Sequence, residues 1–403
     1  MIKKLLCVIF IFFLTGCYNY QEINGLAIIT AIGIDKKDDK YHVSYQVINP
    51  KSNSSSTDSN QTDFIVIESS EKELFKTARN AIKLSSRRLY GNHTSVLVIS
   101  ERLARDEMNK IFDYIFRDPD IRTGFYVLIA KENYNYEFND LLKVVTPLTN
   151  NSAKSIEDSL VNTNKFIGTS SLVNFNELIN MYINPNLEMI IPNIEVTGKE
   201  KNTDKSETNE NVETTSQYNG LKLLTSGIFK ENEFKGYLTK DENLAYNFVI
   251  DNIDNALISY NCNSNKNNDD YIVSELIRSS TKVEIDEKKK KINISIDGFS
   301  ELSEYTCDKD LNDDKVMKEI KDKLNNKIEK LIKDNVLSVI KNYNTDIYGF
   351  KDMIYKKNPD YFKKIKDSYY DDYFPNLDIK VKSKVKIFKK GYITGGLYEN
   401  MEN

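Results

Sequence analysis

The sequence predicts an α+β, mixed α/β fold: a multi-domain ectodomain built from mixed sheets and amphipathic helices. Three observations carry that prediction. Segments in which apolar residues alternate at period two are interleaved with segments in which they recur every three or four positions. Residues 199–218 are almost wholly Lys, Glu, Asp, Asn, Ser and Thr, with Val212 the only aliphatic side chain, and they divide the chain. Residues 1–16 have the form of an export signal rather than of a folded element.

The signal reads Met1-Ile2-Lys3-Lys4 followed by an apolar run to Leu14. That run is long enough for a signal-peptide core and too short to span a bilayer permanently. Leu14-Thr15-Gly16-Cys17 resembles the bacterial lipobox, which makes Cys17 the expected lipidation site, since a thiolate is the nucleophile such a transfer needs. Two acyl chains anchor far more firmly than one, at about 0.8 kcal/mol per buried methylene. Cleavage before Cys17 removes Lys3 and Lys4 and moves the formal charge from −4 to −6. With 56 basic and 60 acidic residues well mixed, no global field suits nucleic acid.

The elements follow in order. Residues 26–35 and 41–47 read as an antiparallel hairpin across a polar turn, and a Ser/Asn-rich loop spans 51–63. After a short strand at 64–67, Ser70 and Glu73 have capping-box spacing ahead of a helix with Leu74, Ala78 and Ile82 on one face. Strands at 95–100 and 125–130 flank a helix carrying Met108, Ile111, Phe112, Ile115 and Phe116, and a short helix covers 138–145. This alternation implies crossover units with parallel pairing. Beyond the polar segment, 221–229 and 234–238 form a hairpin through Glu231-Asn232. Thr239 and Glu242 then repeat the capping-box spacing before a helix with Leu244, Ala245, Phe248 and Val249. Two long alternating strands, 271–285 and 292–302, precede an amphipathic helix with Val316, Ile320, Leu324, Ile328, Leu331 and Val339 on one face. A Tyr-rich helical segment at 346–373 and a strand at 379–388 complete the chain. The expected division is therefore a signal at 1–16, an N-terminal domain at 17–198 of one or two sub-domains, a polar linker at 199–218, and a C-terminal domain at 219–403.

Catalytic signatures are lacking. There are two histidines, no Cys-x-x-Cys, and no glycine-rich phosphate loop or Gly-x-Ser-x-Gly, so no metal or cofactor is expected. Ser279-x-x-Lys282 falls inside a predicted strand without companion motifs. His93 precedes a strand, where it serves the local turn or acts as a pH-sensitive contact. Cys262 and Cys307 lie in polar segments and are free to pair or not in an oxidising compartment. In the last strand Lys380, Lys382, Lys384 and Lys386 alternate with Ile379, Val381, Val385 and Ile387. That lysine ladder either protects an edge strand from aggregation or faces anionic lipid or an acidic partner.

Several segments together resemble the Ger(x)C lipoproteins, the C subunits of spore germinant receptors. The run from Glu22-Ile23-Asn24-Gly25 to Gly33-Ile34-Asp35 is similar to that family's opening, and Tyr45-Gln46-Val47-Ile48-Asn49-Pro50 follows as it does there. Arg87-Arg88-Leu89-Tyr90-Gly91-Asn92-His93 resembles its Arg-x-Leu-aromatic-x-x-His segment, and the stretch from Phe112 to Arg117-Asp118 resembles its helix ending in Arg-Asp. Gly227-Ile228-Phe229-Lys230 with Gly236-Tyr237-Leu238, and Thr345-Asp346-Ile347-Tyr348-Gly349-Phe350, resemble segments of its C-terminal domain. The chain departs from the family in having no Trp: Tyr18 stands after the lipid cysteine, and Tyr369 or Tyr370 stands in the C-terminal half.

The resemblance implies hinge-linked α/β domains and a non-catalytic subunit acting in spore germination. Its implied partners are a polytopic A subunit and a permease-like B subunit, and its implied place is the outer face of the spore inner membrane. A solute-binding lipoprotein that captures the nutrient directly is the alternative of a different class. A surface hydrolase is a third, for which the sequence supplies no nucleophile and base.

Overall fold

The computed structural model describes residues 22–49, 62–132, 137–146, 151–198, 205, 207–213, 219–262 and 270–389. Cys17 lies outside the described residues, as do the signal and most of the 51–63 loop.

The N-terminal strands β1 (Leu26–Lys37) and β2 (Lys40–Ile48) form the expected antiparallel hairpin. Asp38 and Asp39 both take positive φ at its turn, the backbone that matches the twist of two paired strands. β3 (Phe64–Glu71) pairs with β2, and the short β4 (Arg88–Tyr90) runs parallel to the start of β1. β5 (Val96–Ser100) and β6 (Tyr126–Ala130) continue the sheet in parallel from β1. Every residue of β5 is buried, because helices cover both faces, as a continuous apolar run requires. On one side lie α1 (Leu74–Ser85), α2 (Glu101–Asp106), α3 (Met108–Arg117) and α5 (Phe175–Ile183), with Leu103, Ile111, Phe112, Phe175 and Leu178 packed among Leu97, Ile99 and Val127. On the other lie α4 (Ser152–Ile167) and a 3-10 turn at Phe138–Lys143, with Leu142, Ile156 and Leu160 packed on Val96, Val98 and Leu128.

The polar segment does not separate two sheets. β7 (Ile190–Gly198) runs parallel to β6 and pairs antiparallel with β8 (Asn219–Lys230), from Ile190 opposite Ile228 to Gly198 opposite Asn219. β9 (Glu233–Tyr237) then closes a nine-stranded sheet ordered β3-β2-β1-β5-β6-β7-β8-β9, with β4 beside β1. The expected boundary at 199–218 thus falls inside one sheet. Within it, a single helical turn at Glu210–Glu213 buries Asn211, whose amide donates to the carbonyls of Val145 (2.7 Å) and Asn219 (2.9 Å). Apolar content fails to signal such docking, because the contact is made by an amide to backbone.

The second sheet is β10 (Ala256–Asn261), β11 (Tyr271–Asp286), β12 (Lys291–Tyr305) and β13 (Asp378–Lys389), in that order. Its inner face carries Ile258, Ile272, Leu276, Ile292, Ile294, Ile296, Ile379 and Val385. Across it lies α7 (Asp314–Tyr343), 30 residues and so about 45 Å long, burying Ile320, Leu324, Ile328, Ile332, Val336 and Val339. α6 (Lys240–Val249) packs beside it and starts with the expected capping box, Thr239 and Glu242 each bonding the other's backbone amide. Cys262 and Cys307 are joined as a disulfide at the end of this sheet. α8 (Phe350–Lys357) and α9 (Pro359–Ile365) lead through short helical turns to β13.

Three local expectations are corrected. Ser70 and Glu73 make no capping box: β3 extends to Glu71, Ser70 is engaged opposite His42, and Glu73 at the start of α1 makes no side-chain cap. The 138–145 segment is a 3-10 turn over 138–143. Helices α4 and α5 and strands β7 and β10 stand where the sequence reading placed no element.

Candidate docking surfaces and the joint between the two halves

The motif residues of the N-terminal half converge at two places. Arg88 on β4 is ion-paired with Asp120, just beyond Arg117-Asp118, and the Gly91 backbone bridges to Ile121. A Cβ on Gly91 would stand 2.8 Å from Ile121 Cγ1 and 3.1 Å from the Asp120 carbonyl, so this approach needs glycine. At the far end of β1, Asp35 accepts from two guanidinium nitrogens of Arg102, Nε at 2.7 Å and Nη2 at 2.6 Å. Beside it Glu107 accepts from Lys36 (2.6 Å) and from the Tyr41 hydroxyl. Partial burial works to raise the Glu107 carboxyl, but the bonds from Lys36, Tyr41 and Lys110 prevail and hold it down to about 2. Gln46 is fully buried and ties β2 to the start of α4, donating to Leu142 O (3.0 Å) and Ser152 Oγ (2.6 Å) and accepting from Ala153 N (3.2 Å).

The C-terminal motif Thr345-Asp346-Ile347-Tyr348-Gly349-Phe350 builds a joint between the halves. Gly349, in the left-handed region with φ 73°, lets the chain turn from α7 into α8. Asp346 is 0% exposed and accepts from the amides of Phe350 (3.2 Å) and Lys351 (2.6 Å) and from the Tyr369 hydroxyl (2.7 Å). Burial pushes its carboxyl up against those bonds. Thr345 Oγ1 donates to Phe229 O at 2.7 Å and Tyr343 OH to Tyr237 O at 2.9 Å, which ties the end of α7 to the β8–β9 hairpin. Tyr370 donates to Glu188, ahead of β7, and Glu188 also accepts the Glu231 amide of the hairpin turn at 2.7 Å. Lys351 Nζ reaches Pro185 O at 2.8 Å, and the Lys230 ammonium lies 4.3 Å from the Tyr370 ring centre. Tyr369 and Tyr370 are therefore both joint residues. Glu188 has no local sequence signal, since its partner Tyr370 is 182 positions away.

Lys380, Lys382, Lys384 and Lys386 are all exposed on β13, the edge of the second sheet. The edge is partly capped from α7. Asn325 Oδ1 accepts the Val385 amide at 2.7 Å, Asn325 Nδ2 donates to Val385 O at 3.1 Å, and Glu329 accepts the Ser383 amide at 2.9 Å. Lys384 and Lys386 also border a groove of about 540 Å³ with Lys321, Asp322, Asn326 and Glu329. Of the remaining sequence candidates, Ser279 donates to Ile253 O at 3.2 Å and Lys282 pairs with Glu284 at 2.7 Å, so the two do not face each other as nucleophile and base. His93 is exposed, its ring centre 6.1 Å from that of Tyr90. Among the described residues no group of His, Cys, Asp and Glu is arranged to hold a metal ion. Among those residues, too, no helix is long and apolar enough to cross a membrane.

Residues 19–196 match the family model described as spore germination protein N-terminal domain, and residues 225–391 match that described as spore germination B3/GerAC like, C-terminal. The stretch between the two matches holds the polar connection from β7 to β8. Spore germination protein KC of Bacillus subtilis (strain 168) is 27% identical over 389 residues, covering 94% of this chain and 93% of the relative. Spore germination protein B3 of the same organism is 23% identical, covering 94% and 95%. The crystal structure of the GerBC protein superposes with a TM-score of 0.52 at 19% identity, covering 89% of this chain and 96% of that one, and shares the fold.

Proposed function

This chain belongs to the Ger(x)C family and has a role in spore germination, and from that premise we propose that it is a non-catalytic, lipid-anchored subunit of a nutrient germinant receptor. Cys17 carries the lipid and holds the ectodomain at the outer face of the spore inner membrane. The partners are a polytopic A subunit and a permease-like B subunit, and the work of the chain is to scaffold them or to couple their response.

The joint is the observation that favours this reading over direct nutrient capture. A solute-binding protein of the two-lobed kind closes on its ligand across a cleft, which needs an open space and a hinge. Here Thr345, Tyr343 and Tyr370 fill the contact with buried and partly buried hydrogen bonds to Phe229, Tyr237 and Glu188, and the buried Asp346 holds Tyr369 in place beside them. A single apolar cluster runs on through it, from Ile32 and Phe112 to Leu324 and Val385. A body stiffened in this way suits transmission of a push or a twist between two membrane partners.

Titration of the purified chain with amino acids and other nutrients tests the proposal. The scaffold reading expects no saturable heat in the micromolar range, together with loss of nutrient-triggered germination when the gene is deleted. Saturable micromolar binding would favour the solute-binding alternative, and normal germination of the deletion strain on every nutrient would end the receptor reading.

A further inference from the structure

The outer face of the second sheet takes no part in the joint. Its strands line up in four rows: Glu284, Asn293 and Lys380; Lys282, Ser295 and Lys382; Ser280, Asp297 and Lys384; Arg278, Phe299 and Lys386. Six cations in these rows face two carboxylates, and Glu284 is already paired with Lys282. At the end of the ladder Phe299 is 47% and Phe388 58% exposed, their rings edge to face with centres 6.4 Å apart. α7 covers the opposite face of the sheet, so this one is turned outward.

Edge protection accounts for only part of the ladder. Asn325 and Glu329 already occupy the backbone of β13 at Ser383 and Val385, which blocks strand addition there without the help of lysines. We propose that this face lies against a membrane, with Lys380, Lys382, Lys384 and Lys386 over anionic lipid headgroups and Phe299 and Phe388 at the interface. A regular row of cations, spaced about 6.6 Å along the strand, suits a field of mobile anions better than one fixed carboxylate. Exposed Phe side chains at the end of a lysine row supply the apolar part that an interfacial contact uses beside its cations. Beyond the Phe299–Lys386 row, Glu275 and Glu301 face each other on β11 and β12, and the contact ends there. Each lysine near an anionic surface strengthens attachment roughly fivefold, so the ladder orients an ectodomain that is anchored elsewhere. The inference rests on the membrane-surface location proposed above, but its test does not depend on any role in germination.

The full chain contains no Trp. Phe388→Trp therefore supplies a single indole whose emission reports on this face, and Phe75→Trp, at an exposed position of α1, supplies a control elsewhere. Each variant is mixed with vesicles of phosphatidylcholine alone or of phosphatidylcholine with phosphatidylglycerol. The indole at 388 should shift to the blue and be quenched by brominated lipid on the anionic vesicles only, and the effect should be lost in high salt. Adding K380Q, K382Q, K384Q and K386Q together should raise the anionic lipid needed by roughly several hundredfold, with the circular dichroism unchanged. The indole at 75 should not shift. An equal shift on neutral vesicles, a shift that survives the lysine changes, or none at all would overturn the proposal. A shift with a soluble polyglutamate peptide but not with anionic vesicles would also overturn it, in favour of an acidic protein partner.

Discussion

Replacing Asp346 by Ala removes the acceptor from three donors at once, the Phe350 and Lys351 amides and the Tyr369 hydroxyl. Asp346 itself has no solvent contact, so water cannot simply take the place of its carboxylate. A buried donor left without a partner costs about 1–3 kcal/mol, and a carboxylate lost from a helix start costs about 0.3–1 kcal/mol more. Some relaxation of Tyr369 offsets part of this, and the expected loss is about 3–5 kcal/mol. Asp346→Asn keeps the shape and one acceptor oxygen and should lose about 1–2 kcal/mol. The two chains also differ in pH response. Burial raises the Asp346 carboxyl above its ordinary value, so the folded state holds the proton to higher pH than the unfolded state does. Wild-type stability on this account falls as pH rises through the folded pKa and recovers as pH falls toward the ordinary value. The Asn variant lacks that titration, so its deficit relative to wild type should widen on acidification. Urea unfolding of the full-length variants, at neutral pH and at about pH 4.5, measures both effects. A loss below about 1 kcal/mol for Asp346→Ala, or a deficit that narrows on acidification, would refute the reasoning.

Two further perturbations test the packing. Converting both Cys262 and Cys307 to Ala opens a loop with a sequence separation of 45 residues, and the urea midpoint should fall by the equivalent of up to about 4 kcal/mol; dithiothreitol should lower the wild-type midpoint comparably and leave the variant unchanged. Gly91→Ala forces a Cβ against Ile121 and the Asp120 carbonyl and should cost about 1–3 kcal/mol, whereas Gly124→Ala, with nothing within 4 Å, should be near neutral.

Much of the fold was legible where local chemistry and tertiary use agree. The apolar run at 26–35 became β1, the period-two runs became β2, β11, β12 and β13, and the apolar stripe from Ile320 to Val339 became the buried face of α7. Capping boxes show the limit of local reading. Thr239 and Glu242 form one, whereas Ser70 and Glu73 have the same spacing and do not, because pairing with β2 draws Ser70 into a strand. Asn174 and Glu177 form a second capping box, which opens α5, so the signal for that helix was present in the sequence. α4 was harder to see, because it buries Ser152 and Asn164 along with Ile156 and Leu160. The continuation of the first sheet on both sides of 199–218 has no local signature, since Gly198 and Asn219 meet only by strand pairing. The joint was half legible: its motif from Thr345 to Phe350 stood out, but Glu188 and the hairpin turn it binds are distant in sequence.

The central claim is that the ectodomain serves in germination from a lipid-anchored position, and Cys17→Ala tests it most directly. The variant should fold with an unchanged urea midpoint, leave the spore membrane fraction for the soluble one, and lose most of the response to nutrients. A variant that stays with the membrane, or one released from it that still supports normal nutrient-triggered germination, would contradict the account.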